Sequence, residues 1–172
     1  MAKKIKVNLS PASVDKAIKE LEAYEEHVKE RCTAFGQALK QFGLTKLKIQ
    51  ILPHIDSGET LGSITAIDES TTDTVRFRLC VTSEAILFLE FGAGIKYSHS
   101  ARHPLAGELG YGPGTYPGKG HWDDPNGWWY QDDGGQWHHT YGQPASKPVY
   151  ITSLQMREQL VALAKQVFAN GK

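Results

Sequence analysis

Seven histidines stand out, and five of them, His99, His103, His121, His138 and His139, fall in one late stretch of the chain. A metal centre is therefore the first chemistry to test. Zinc needs three or four converging ligands at recognisable spacings, and neither an HExxH helix nor a Cys/His pattern occurs. His138 and His139 are neighbours in a predicted strand and so point to opposite faces. The expectation is polar loop and interface histidines, with no metal and no cofactor. Glycoside hydrolysis needs two carboxylates held across a cleft; Asp123 and Asp124 are adjacent and precede Pro125, a pattern that suits a turn. With Trp122, Trp128 and Trp129 close by, an aromatic platform for sugar rings gives the alternative reading, a cell-wall carbohydrate-binding or hydrolytic protein. No GxSxG surrounds a serine, and neither cysteine has a catalytic setting. The glycines from Gly110 to Gly118 lack the strand-to-helix frame and terminal Lys-Ser or Lys-Thr of a phosphate cradle. The residues predict no enzyme.

The elements that would position these residues follow from periodicity. Ser10 then Pro11 is a helix start, a hydroxyl cap before the position where proline costs nothing. Behind it Val14, Ile18, Leu21, Val28, Cys32, Phe35, Leu39 and Phe42 recur at alternating steps of three and four, broken only by Glu25. A helix over 10–43, stopped by Gly43, is predicted. At ~30 residues it would run ~45 Å, longer than a small domain is wide, so part of its stripe is expected to face another subunit. Strands are predicted within 46–82. Leu47, Ile49 and Ile51 alternate with polar residues, Ile64 and Ile67 mark a second strand, and Val75 to Val81 a third, with Asp68 to Asp73 as the joining turn. Ser83 to Phe91 fits a short helix or a buried strand, the apolar run being too short for periodicity to decide, and a helix capped by Ser83 is the expectation.

From residue 92 to 126 the chain turns rich in Gly, Pro, His and aromatics. A loop of that length is usually functional, and its aromatics, Tyr97, Tyr111, Tyr116 and Trp122, argue against a disordered linker. It is predicted to be an extended arm that buries itself against something else. Asp133-Gly134-Gly135 between two aromatic runs predicts a β-hairpin over 127–141, and a last helix is predicted over 149–170 with a broad stripe including Leu154, Leu160, Val161, Ala164, Val167 and Phe168.

The chain of 172 residues fits one domain, and its 19 acidic and 19 basic residues balance, which gives no steering towards nucleic acid. The two cysteines, Cys32 and Cys80, make neither a disulfide framework nor a CxxC site, and buried free thiols in a reduced cytoplasm are expected. No signal peptide and no run of ~20 apolar residues is visible, so a soluble protein with no membrane contact is expected.

Four stretches, in order, resemble the HK97 gp10-like family of tailed-phage tail-completion or head–tail joining proteins. They are Asp56-Ser57-Gly58-Glu59-Thr60-Leu61-Gly62-Ser63-Ile64; Phe88-Leu89-Glu90-Phe91-Gly92-Ala93-Gly94; Gly120-His121-Trp122-Asp123-Asp124-Pro125-Asn126-Gly127-Trp128-Trp129-Tyr130, similar to a version from phages and prophages of Gram-positive bacteria; and His138-His139-Thr140-Tyr141-Gly142-Gln143-Pro144-Ala145. The resemblance implies an α+β fold, a long N-terminal and a C-terminal helix packed on a small antiparallel sheet. It also implies a non-catalytic virion subunit at the head–tail junction, forming a ring with copies of itself and meeting connector or adaptor, head-closure and tail-tube proteins. The expected interface residues are Phe91, Tyr97, Tyr111, Tyr116, Trp122, Trp128, Trp129 and Tyr130, aromatic anchors of the kind enriched at interface hot spots.

Overall fold

The computed structural model describes residues 5–55, 58–83, 85–94, 96, 102–111, 124–132 and 134–169. The chain is α+β. A long helix, α1 (Pro11–Ile51), leads through a 3-10 turn (Leu52–His54) and a one-turn helix, α2 (Glu59–Gly62), into a hairpin of β1 (Ile64–Asp68) and β2 (Phe77–Val81). Helix α3 (Ala85–Phe91), a second hairpin of β3 (Trp128–Gln131) and β4 (Trp137–Thr140), and helix α4 (Pro148–Ala169) follow. Among the described residues the strands form two separate two-stranded antiparallel sheets, not one.

Helix α1 starts where the sequence places it. Ser10 Oγ accepts from the Ser13 amide, and Pro11 occupies the first turn. It does not stop at Gly43. The predicted strand over 46–51 is helix, because helical spacing and alternation share Leu47 and Ile51, and packing chooses between them. Leu47 is 2% and Ile51 0% exposed, one turn apart on the inner face, while Ile49 is 53% exposed. Gly43 is there for close approach instead: a Cβ would lie 2.6 Å from Leu79 Cδ1 of β2 and 2.7 Å from Met156 Sδ of α4. Leu47, Ile51, Ile64 and Leu89 form the buried centre, with Leu44, Ile55, Leu61, Val81 and Ile86 around it. This joins α1, β1, β2 and α3 in one apolar contact region.

The β1–β2 hairpin lies close to the prediction, pairing Ile64 with Val81 and Asp68 with Phe77. Helix α3 also forms, the Ser83 Oγ accepting from the Ala85 amide. Cys32 is exposed and Cys80 half-buried, both as free thiols, so Cys32 is not the buried thiol expected from its place in the apolar stripe. The start of that stripe runs beyond α4. Helix α4 lies antiparallel on α1, Met156 against Gly43 and the Arg31 guanidinium donating to the Val167 carbonyl near α4's end. The twenty α1 residues from Pro11 to Glu30 continue past that point, ~30 Å of helix. Among the described residues no helix is long and apolar enough to cross a membrane.

Candidate functional site

Two aromatic clusters divide the predicted interface residues between them. The first is built where α3 meets α4. Glu90 is a carboxylate inside an apolar run, and it is buried. Its Oε2 accepts from the Val149 amide at 2.8 Å; its Oε1 accepts from the Tyr150 amide at 2.9 Å. These are first-turn amides of α4, which have no partner within their own helix. The carboxylate thus caps a 22-residue helix from another element, where its charge also suits the helix dipole. Leu89 adds its carbonyl, accepting from the Ser146 amide and hydroxyl.

His103 completes the cluster. Its Nδ1 accepts from the Leu105 amide at 3.1 Å, which puts the ring proton on Nε2, 2.9 Å from Glu90 Oε1. Both ring nitrogens are therefore engaged within the chain. A buried Glu–His pair has the composition of a proton-transfer dyad, but this His103 has no nitrogen left to receive a substrate proton. It acts as a fastener. Phe91 stacks on Tyr111 (centroids 4.3 Å apart) and tilts against His103, and Tyr150 meets His103 edge-on at 5.0 Å. Phe91 and Tyr111, predicted to anchor a neighbour, are packed on their own chain. Residues 102–111 of the supposed arm fold back onto the α3–α4 junction.

The glycines of Gly92-Ala93-Gly94 serve the same junction. Ala93 and Gln143 exchange a pair of backbone hydrogen bonds at 2.9 Å each. Gly94 (φ +86°) and Gly142 (φ +93°) flank this crossing, and a Cβ on Gly142 would lie 2.0 Å from the Ala93 carbonyl oxygen. Two motifs recognised separately in the sequence are thus one backbone crossing, which only glycine permits.

The second cluster is the β3–β4 hairpin, which pairs Trp128 with Thr140, Trp129 with His139, Tyr130 with His138 and Gln131 with Trp137. Alternation places Trp129, Trp137 and His139 on one face, and Trp128, Tyr130 and His138 on the other. The first face is open: Trp129 is 62% and Trp137 63% exposed. His139 stands edge-on to Trp129 (5.1 Å) and Tyr141 (4.9 Å), and the Lys96 ammonium sits 4.6 Å from the Tyr141 ring centre. The result is a polar-edged aromatic strip. On the other face Tyr130 stacks on His138, whose Nε2 lies 2.7 Å from Asp132 Oδ2. That hydrogen bond, and next the Gln136 amide donating to Oδ1, hold the Asp132 carboxyl below its usual range.

Trp128, Trp129 and Tyr130 are thus brought together on one hairpin, apart from Phe91 and Tyr111. Tyr97, Tyr116 and Trp122, with His99, His121 and Asp123, lie outside the described residues. Among the described residues no three His, Cys, Asp or Glu side chains converge as a metal site would require. Sequence reasoning took His103 for a polar loop or interface histidine and missed its buried pairing with Glu90, although a lone acid inside Phe88-Leu89-Glu90-Phe91 was the available signal. Trp137 it placed in the hairpin but did not name among the expected interface residues. Comparison with family models, with curated proteins and with solved structures gives no match.

Proposed function

We propose that the chain is a non-enzymatic structural subunit of a tailed-phage virion, acting at the head–tail junction. There it joins copies of itself in a ring and docks onto neighbouring connector, head-closure or tail-tube proteins. The observation that carries this is the open face of the β3–β4 hairpin, where Trp129 and Trp137 stand largely exposed beside Tyr141. Contiguous exposed aromatics with a polar rim mark surfaces that meet a partner. The four motif stretches support the phage setting, and the engaged nitrogens of His103 speak against the buried dyad as a catalytic one.

The double substitution W129A/W137A tests it. Neither ring is in the core, so the variant keeps its circular dichroism and melting temperature. Phage carrying it should yield heads and tails that fail to join, and the subunit should be missing from purified particles. Normal particle yield with the variant subunit incorporated defeats the proposal. The same face favours one competitor, since exposed tryptophans also stack on sugar rings. A pull-down on purified cell wall separates the two: the assembly reading expects no retention, whereas retention abolished by W129A/W137A supports the carbohydrate-binding alternative.

A further inference from the structure

Two helix faces carry exposed apolar stripes, and their patterns match. The outer part of α1 presents Val14, Ile18 and Leu21, of which Leu21 is 56% exposed; Val28 is half-buried and Ala17 beside them buried, and Glu25 interrupts the stripe. Helix α4 turns Thr152 and Met156 towards its own chain. At 100° per residue its opposite face carries Leu154, Val161 and Phe168, all exposed and seven residues apart, with Ala164 beside them. That second stripe is also interrupted once, by the exposed Arg157.

We propose that the protruding part of α1 in one copy docks antiparallel along the outward stripe of α4 in a second copy, with Glu25 facing Arg157. The steps decide the direction. From Glu25 towards the start of α1 the apolar residues come at four, three and four (Leu21, Ile18, Val14). From Arg157 towards the end of α4 they come at four, three and four (Val161, Ala164, Phe168). Towards the other ends the next partners, Val28 and Leu154, are three residues away on both helices. Run antiparallel, every layer coincides, and bulky Ile18 meets small Ala164, as interdigitating layers require. Run parallel, with Glu25 still facing Arg157, the steps fall out of phase. The one acid and the one base then share a layer, each removing the other's penalty for sitting in an apolar seam. Glu25 Oε1 is paired with Lys29 at 2.7 Å, which holds its carboxyl below the usual range and leaves Oε2 to face the guanidinium.

This contact joins two different surfaces of the same chain, so it propagates from copy to copy wherever the reciprocal contact is not made within the same pair, and growth beyond a dimer in the concentration series below is its mark. It deepens the assembly reading and rests on it for its biological setting. The intramolecular α1–α4 packing cannot mimic it, because Val161 lies several turns of α1 away from Leu21 within one chain. By that packing Met156 is level with Gly43 and Val167 with Arg31.

Charge reversal tests it by light scattering after size exclusion across a concentration series. Wild type should grow with concentration. E25R and R157E should each weaken self-association by at least about tenfold, since each sets like charges together in the seam. Mixing the two variants, or combining them in one chain, should restore the wild-type mass. In a second arm, L21C and V161C, each made in a C32S/C80S background, should form a mixed disulfide only when combined. A wild type that stays monomeric throughout, single variants that assemble as well as wild type, or a mixture that is not rescued overturns the contact. The assembly reading fails separately, on W129A/W137A particles that join normally.

Discussion

Glu90 is the residue on which the junction of α3 and α4 turns. All three of its partners, the Val149 and Tyr150 amides and His103 Nε2, are donors, so only an acceptor-only side chain satisfies the site. Glu90→Gln brings an amide N–H₂ against those donors and should cost about 1–3 kcal/mol in urea denaturation. Glu90→Ala leaves the donors unpaired and should cost about 3–5 kcal/mol. A Glu90→Gln protein as stable as wild type would show that the carboxylate is not the fastener. A second titratable residue offers a test by pH. The Asp132 carboxyl is held low by His138 and the Gln136 amide, so its folded pKa lies below its unfolded one. Such a group adds stability above the ordinary carboxylate range, and that addition disappears as pH falls through the lowered folded value. Protection of the β3–β4 amides, corrected for the intrinsic exchange rate at each pH, should therefore fall below about pH 4, where unfolded aspartate begins to protonate. In Asp132→Asn this acid dependence should be flattened. At the residue scale the sequence made the glycine motifs and the aromatic hairpin visible. The Glu90–His103 pair stayed hidden because thirteen residues and a backbone crossing separate partners that only the fold unites.

At the scale of elements, sequence reading succeeded where local signals agree. Ser10-Pro11 and the polar residues Asp68 to Asp73 place a helix start and a turn from local chemistry alone. It failed at Gly43 and at the segment after it. A glycine is a stop signal only when no neighbour needs the space, and here Leu79 and Met156 fill it from two other elements. The alternation in 46–51 is real, but two of its three apolar residues also stand one helical turn apart, and the core takes those two. Gly43 is accordingly a packing position. Gly43→Val should destabilise the chain by about 1–3 kcal/mol, because a branched side chain overfills the α1–α4–β2 contact. Gly43→Ala should stay within about 1 kcal/mol of wild type, since the flexible ends of Leu79 and Met156 can shift and helix propensity improves by about that amount. Thermal melts of the pair check this; a Gly43→Val chain as stable as Gly43→Ala would put the close approach in doubt.

For the whole molecule, the α+β class was legible from the order of the periodic segments. That the strands make two small hairpins instead of one sheet was not, because pairing between hairpins is a long-range choice that period-two patterns do not encode. Nor was the folding of residues 102–111 onto their own chain, since an aromatic loop reads alike whether its partner is itself or a neighbour. Helix α4 is anchored at both ends by opposite charges from elsewhere, Glu90 at its start and Arg31 near its finish. Its outer stripe is thereby presented in one fixed orientation, as a docking rail must be.

The Gly43 contact also has a meaning in terms of angle. Without a side chain there, Met156 of α4 seats against the α1 backbone, so a residue added at that point would alter the angle at which the two helices cross. When the far end of the same α1 lies on the next copy's α4, that inclination is repeated at every step. A tilt of 10° at Gly43 moves the tip of α1, some thirty residues and about 45 Å away, by about 8 Å. In the assembly proposed above, the absence of one methyl group would then bear on the curvature from copy to copy.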